Sequence, residues 1–256
     1  MFDFLKSWIL LVIIFLVLAN HNASALESNP IFITLSGSMN QIVFDGKWSF
    51  VNEWKESTLT TLNYDDGTQI QLRTSHQDNF IYVLVDFVTD IHMSKGSDSA
   101  TICFENESKE NSTNDPYCFV SILDGRSFVL EKNYIEKYNF MVTRDVPEFI
   151  ANSTSSDQND RYSPTPHATY EFRIPTDLVG RSDMYKFYMG TFDAHHNKMY
   201  TWPQNISINS SLTIPDVIQW GEIISPDKSL PEFPLPVLLL LTGSVFAIYL
   251  TRITRK

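Results

Sequence analysis

The residues best equipped for chemistry in this chain are carboxylates, imidazoles and indoles placed in or beside polar turns. Asp86, Asp90 and Asp98 fall within one short stretch and could offer oxygen ligands to a calcium ion, which takes about six to eight such atoms and tolerates irregular loops. Acidic turn residues of this kind also act simply as solvated or capping groups. The adjacent His195 and His196 lack the spacing that puts two imidazoles on one helix face, which argues against zinc. Trp202 lies in the turn-rich HHNKMYTWPQN, where an indole is expected to reach solvent. Catalytic signatures are missing: the chain has no G-x-S-x-G elbow, no P-loop and no HExxH, and carboxylate pairs occur by abundance alone.

These side chains need a scaffold, and the pattern predicts strands. Gln69 to Leu72 and Phe80 to Phe87 flank the turn-rich TSHQDN as a hairpin. The second of them is apolar on both faces, so it belongs in the middle of a layered structure. Further strands are expected at 101 to 105, 117 to 123, 127 to 131, 170 to 174 and 185 to 189, with Asp124-Gly125 as a turn. Cys103 and Cys118 each sit in an apolar stretch with a polar segment between them, which reads as neighbouring strands stapled by a disulfide, against free thiols or a metal pair. Asn152 to Thr165 is low in apolar residues and reads as a long exposed loop. Together the pattern predicts an all-β fold, an antiparallel β-sandwich of jelly-roll type.

The two ends carry their own information. Residues 1–25 read as a signal peptide: Lys6, a continuous apolar run and Ala23-Ser24-Ala25 before the cut, with an uncleaved anchor as the alternative. A lead-in spans 26–38, the main domain 39–224 and a linker 225–232; residues 233–251 read as a transmembrane segment and 252–256 as a basic cytoplasmic tail. The main domain is thereby expected outside the cell at the membrane surface. Sequons at Asn106, Asn111, Asn152, Asn205 and Asn209 make glycosylation an expectation for such a chain. Acidic residues outnumber basic ones, 30 to 19, and no basic stripe is visible, which excludes nucleic acid as the expected partner.

Pro231-Glu232-Phe233, set before a short apolar stretch and a basic terminus, resembles the PEF-type sorting tail of archaeal surface proteins. That resemblance implies a membrane sortase as a partner and a mature chain without a transmembrane helix. A second resemblance covers residues 39 to 224. It is carried in order by Asp45-Gly46 and Trp54, by NFIYVLVDFVTD ending at Asp90, by Asp98, by the YEFRIP strand holding Glu171, and by Trp220-Gly221. This succession is similar to the family-9 carbohydrate-binding module and its DOMON-like relatives.

The resemblance implies a non-catalytic carbohydrate-binding domain, with sugar held by aromatic faces and polar side chains; Trp202, Tyr200, Trp48 and Arg73 are the candidates. Trp54 and Trp220 read as packing residues instead. Relatives that bind haem imply a second reading, extracytoplasmic electron transfer, in which Met93 beside His92 or Met199 near His195 and His196 would ligate the iron. A structural envelope protein without a small ligand is the third. The first is the expectation carried forward, with no cofactor required beyond the calcium named above.

Overall fold

A computed structural model of the chain describes residues 29–105, 116–133, 139–143, 146–204, 206, 208 and 213–226. The signal peptide, the sorting motif at Pro231, Glu232 and Phe233, the membrane segment and Asn106, Asn111, Asn205 and Asn209 lie outside them. Among the described residues no helix is long and apolar enough to cross a membrane.

Among the described residues fourteen strands form two facing sheets. In chain order they are β1 (Ile31–Phe32), β2 (Thr34–Leu35), β3 (Thr58–Asn63), β4 (Gln69–Gln77), β5 (Phe80–Phe87), β6 (Ser99–Glu105) and β7 (Tyr117–Ile122). There follow β8 (Ser127–Asn133), β9 (Asn139–Thr143), β10 (Ile150–Ser155), β11 (Ala168–Pro175), β12 (Met184–Asp193), β13 (Lys198–Trp202) and β14 (Gly221–Ile224). The larger sheet runs β1-β14-β12-β6-β7-β8-β9, with β13 also paired to β12; the smaller runs β10-β11-β5-β4-β2, with β3 paired to β4.

Period-two alternation aims one side of each sheet at the other. Val83, Val85, Phe87, Tyr170 and Phe172 of the smaller sheet meet Ile102, Phe104, Phe119, Phe187 and Met189 of the larger in one continuous core. The two-sided apolar pattern of β5 has its explanation here. Its odd-numbered positions enter that core, while Tyr82 and Leu84 point outward into a second cluster with Met39, Ile42, Trp48 and Trp54.

Three expectations change. The sheets are mixed and not purely antiparallel, because β1 pairs in parallel with β14 and β2 with β4. Residues 31 to 35, expected as a lead-in, therefore tie an edge of each sheet together, and Ile31 and Ile33 are buried in the core. The loop expected from 152 to 165 is strand as far as Ser155: β10 is polar in composition, but its backbone is satisfied by the ladder to β11. The first hairpin is longer than expected, β4 continuing to Gln77 and turning at Asp78, whose φ of 53° suits a tight turn.

Cys103 and Cys118 face each other directly across β6 and β7 and are disulfide-bonded, with Cα atoms 4.1 Å apart. They lie on the outer side of the larger sheet with Val120, Leu130, Tyr188 and Trp220. Their separation of 15 residues closes a loop whose entropy in the unfolded chain is worth about 3 kcal/mol. A Cys103→Ala/Cys118→Ala variant is accordingly expected to lose about 3 kcal/mol of unfolding free energy in urea denaturation, with an unchanged fold by circular dichroism.

Candidate functional site

The outward face of the smaller sheet carries an unusual amount of buried polarity. Strand register sets it out in rows: Arg73, Leu84, Glu171 and Asn152 form one, Gln71, Asp86, Thr169 and Thr154 the next. Residues 38–57 and 156–167 fold over these rows, so groups that would be wet on an ordinary sheet face are enclosed.

Glu171 is the centre of the first row and is fully buried. Its Oε2 accepts the Gly46 amide at 2.8 Å and its Oε1 the Trp54 indole N–H at 2.9 Å. Burial nevertheless dominates, pushing its carboxyl up to about 8. Gly46 has φ of 94°, and a Cβ there would come within 2.6 Å of the Ser153 backbone, so the close approach requires glycine. Thr169 Oγ1 donates to the Gly46 carbonyl from the neighbouring row. Glu53, also buried, holds the covering loop by accepting the amides of Val43, Ser49 and Phe50.

In the second row the Asp86 carboxylate lies 2.6 Å from His167 Nε2, and Asp160 lies 3.7 Å from the same nitrogen. Burial pushes Asp86 up to about 6. Burial lowers His167, but its hydrogen bond and attraction to Asp86 outweigh that and raise it. The other ring nitrogen donates to the Thr165 carbonyl at 2.7 Å, and the His167 amide donates to Ser156 Oγ at 3.0 Å. The pair thus joins the 156–167 loop to β5 by a close, buried carboxylate–imidazole contact.

At the rim of this face Arg73 and Trp48, two of the expected sugar-contacting residues, come together. Arg73 donates to the Tyr162 hydroxyl at 2.6 Å and to the carbonyls of Trp54 and Ser57. Two guanidinium groups lie over the Trp48 ring, Arg73 at 4.8 Å and Arg161 at 4.5 Å from its centroid. Trp48 itself is only 8% exposed, whereas the neighbouring Phe50 is 60% exposed and Arg161 is open to solvent. Arg161 and Trp48 each donate to this loop's backbone, at the carbonyls of Val51 and Phe50.

The other expected sugar residues are core. Trp202 is 7% exposed and packs on Phe187 and over Gly221, where a Cβ would meet its ring at 2.3 Å. Tyr200 packs between Tyr64 and Phe87, its hydroxyl donating to Asp66 at 2.9 Å. The turn in that segment ends at Asn197, so β13 carries both side chains inward on one face. Asn152 lies in β10 with its amide nitrogen donating to the Phe44 carbonyl at 3.0 Å, not in a free loop as expected of a glycan acceptor.

The three aspartates expected to share calcium separate. Asp86 belongs to His167, while Asp90 and Asp98 sit at one end of the sandwich, where Asp193 at the end of β12 joins them electrostatically. Burial, and then Asp98 and Asp193, push Asp90 up to about 7. Both oxygens of Asp98 accept amides, from Ser94 and Ala194, and both of Asp193 accept from His196. Met93 packs against the core, and Met199 lies beside Tyr188 near Gly190.

No protein-family model matches the chain, and no curated protein matches it. Among solved structures, a Bacteroides uniformis protein assigned to carbohydrate binding is 9% identical with a TM-score of 0.45, covering 77% of this chain and 100% of that one. A family-9 carbohydrate-binding module of Caldicellulosiruptor kristjanssonii, solved with glucose, is 14% identical with a TM-score of 0.43 over 77% and 95%. The module from the same organism with cellotriose is 15% identical with a TM-score of 0.41 over 77% and 93%.

The Glu171 network fixes a pH dependence. The folded chain holds that proton up to about 8 against an ordinary value of 4.5, so its contribution to stability is complete below pH about 4.5 and is lost as pH rises through 8. In Glu171→Gln this slope is expected to vanish. The variant is also expected to be about 1 to 3 kcal/mol less stable at pH about 5, because the carboxamide NH2 opposes one of the two N–H donors. Urea denaturation across the pH range checks both.

Proposed function

We propose that this chain is an exported, membrane-attached, non-catalytic domain that binds carbohydrate at the rim formed by Phe50, Trp48, Arg161 and Arg73. The observation that carries the reading is one indole with two guanidinium groups over its ring, beside an exposed phenyl, on a loop held by buried hydrogen bonds. Sugar recognition needs an apolar surface for one face of the pyranose and rigid donors for its hydroxyls. Phe50 supplies the first. Arg161 supplies the second, since its guanidinium is planar, always charged and already oriented by Trp48 and the Val51 carbonyl. Little ordering remains to oppose binding, which is how a small site reaches useful affinity.

Attachment rests on the two ends. An apolar N-terminal run with a small-residue cleavage site and the C-terminal PEF tripeptide before an apolar stretch support export followed by sortase processing. The family-9 and DOMON-like resemblance is part of the same proposal; Gly46, Trp54 and Glu171, three of the residues that carry it, meet in one hydrogen-bonded group.

Glycan-array screening of the purified chain is expected to give hits that Phe50→Ala and Arg161→Ala each weaken by about tenfold or more. Both residues are exposed, so folding should be unaffected; an array with no hits, or hits indifferent to both variants, rejects the assignment. For the anchor, mass spectrometry of the native protein should find a C-terminus at or near Pro231, and an intact Lys256 end would refute processing.

A further inference from the structure

We propose that His92, His195 and His196 form a surface site for a divalent late first-row metal ion of zinc type. The three imidazoles come from two loops, 88–98 and 194–197, that the fold brings to one end of the sandwich. Their ligand atoms all lie within 4.8 Å of one another, and all three residues are exposed. His92 and His195 stack with centroids 4.5 Å apart, and His196 stands edge-on to both.

His196 is already set for ligation. Asp193 Oδ2 lies 2.6 Å from its Nδ1, and Asp193 Oδ1 accepts its backbone amide at 3.0 Å. An Nδ1–H held in this way leaves Nε2 with its lone pair outward, the carboxylate–histidine arrangement that orients metal ligands and raises their basicity. His92 and His195 need rotation about their side-chain torsions to aim their nitrogens at a common point, which exposed rings make on a fast timescale. Beside the imidazoles lies a second, independent feature: Asp90, two residues before His92, is 2% exposed, and neither of its oxygens has a well-aligned hydrogen-bond partner among the described residues.

Three imidazoles with an open fourth position suit Zn2+, Cu2+ or Ni2+ and not Ca2+, which requires oxygen donors. The nearby aspartates do not change that choice. Four of the six oxygens of Asp90, Asp98 and Asp193 are occupied by N–H donors.

Calorimetric titration of the purified full chain, free of any polyhistidine tag, with Zn2+ tests the site. Saturable binding is expected, weakened at least about tenfold in His92→Ala and in His195→Ala, whose exposed side chains leave circular dichroism unchanged. Asp193→Asn is expected to weaken it by about 10–100-fold while all three ligands remain, a readout that separates orientation from ligation. Excess Ca2+ should not displace the zinc. Absence of binding, binding indifferent to both histidine variants, or displacement by Ca2+ would overturn the assignment.

Discussion

A carboxyl group without water governs one whole side of this molecule. Glu171 lies at the middle of the smaller sheet, and the donors that satisfy it come from residues more than a hundred positions earlier in the chain. An isolated buried carboxylate is too costly to exist, so the loop bearing Gly46 and Trp54 must close over the strand for that strand to be buried at all. Closure then encloses the row beside it, and Asp86 must find His167 for the same reason. Each covering segment is thus fixed to the sheet by a polar contact as well as by apolar packing. A group left unpaired in such a place would cost more than the contact gains when made, which favours a single arrangement of the loops.

Strands were readable because alternation is a local signal. The two-sided apolar run of Phe80 to Phe87, the alternation of Tyr170, Phe172 and Ile174, and the cysteines in adjacent apolar stretches each predicted a strand, and the disulfide joins the expected strands, although β11 is enclosed on both faces because Glu171 is covered. Polar β10 escaped notice because its strand character comes from pairing with β11 and not from its own residues. Ile31 to Leu35 escaped for a related reason: parallel edge strands of two residues have no period to detect. Mixed sheets follow from those short edges alone.

The site was legible only by residue type. Arg73 and Trp48 lie together, but their partners Arg161 and Tyr162 lie in a segment whose composition gave no hint of order. Histidine adjacency is likewise silent about a third imidazole. Adjacent imidazoles at 195 and 196 cannot share a helix face, yet the third ring comes from a loop about a hundred residues away, and no sequence spacing encodes that meeting. Grouping the aspartates by proximity failed likewise, since Asp86 is a strand residue facing outward while Asp90 and Asp98 belong to the loop beyond its end.

The tryptophans show why aromatic residues alone are poor guides to a binding surface in this fold. An indole has a large apolar body and one donor, so when buried it is most stable where that donor meets a fixed acceptor. Trp54 gives its N–H to Glu171, Trp48 to the Phe50 carbonyl and Trp220 to the Pro215 carbonyl. Trp54 thereby pins a covering segment to the smaller sheet, while Trp48 and Trp220 fold their own segments back on themselves, and a ring so buried has little face left for a ligand. Phenylalanine lacks that donor and gains nothing polar from turning inward on a loop tip. An exposed Phe50, seated on a loop that Glu53 and Trp48 already immobilise, for this reason offers solvent an apolar surface that the indoles among the described residues do not.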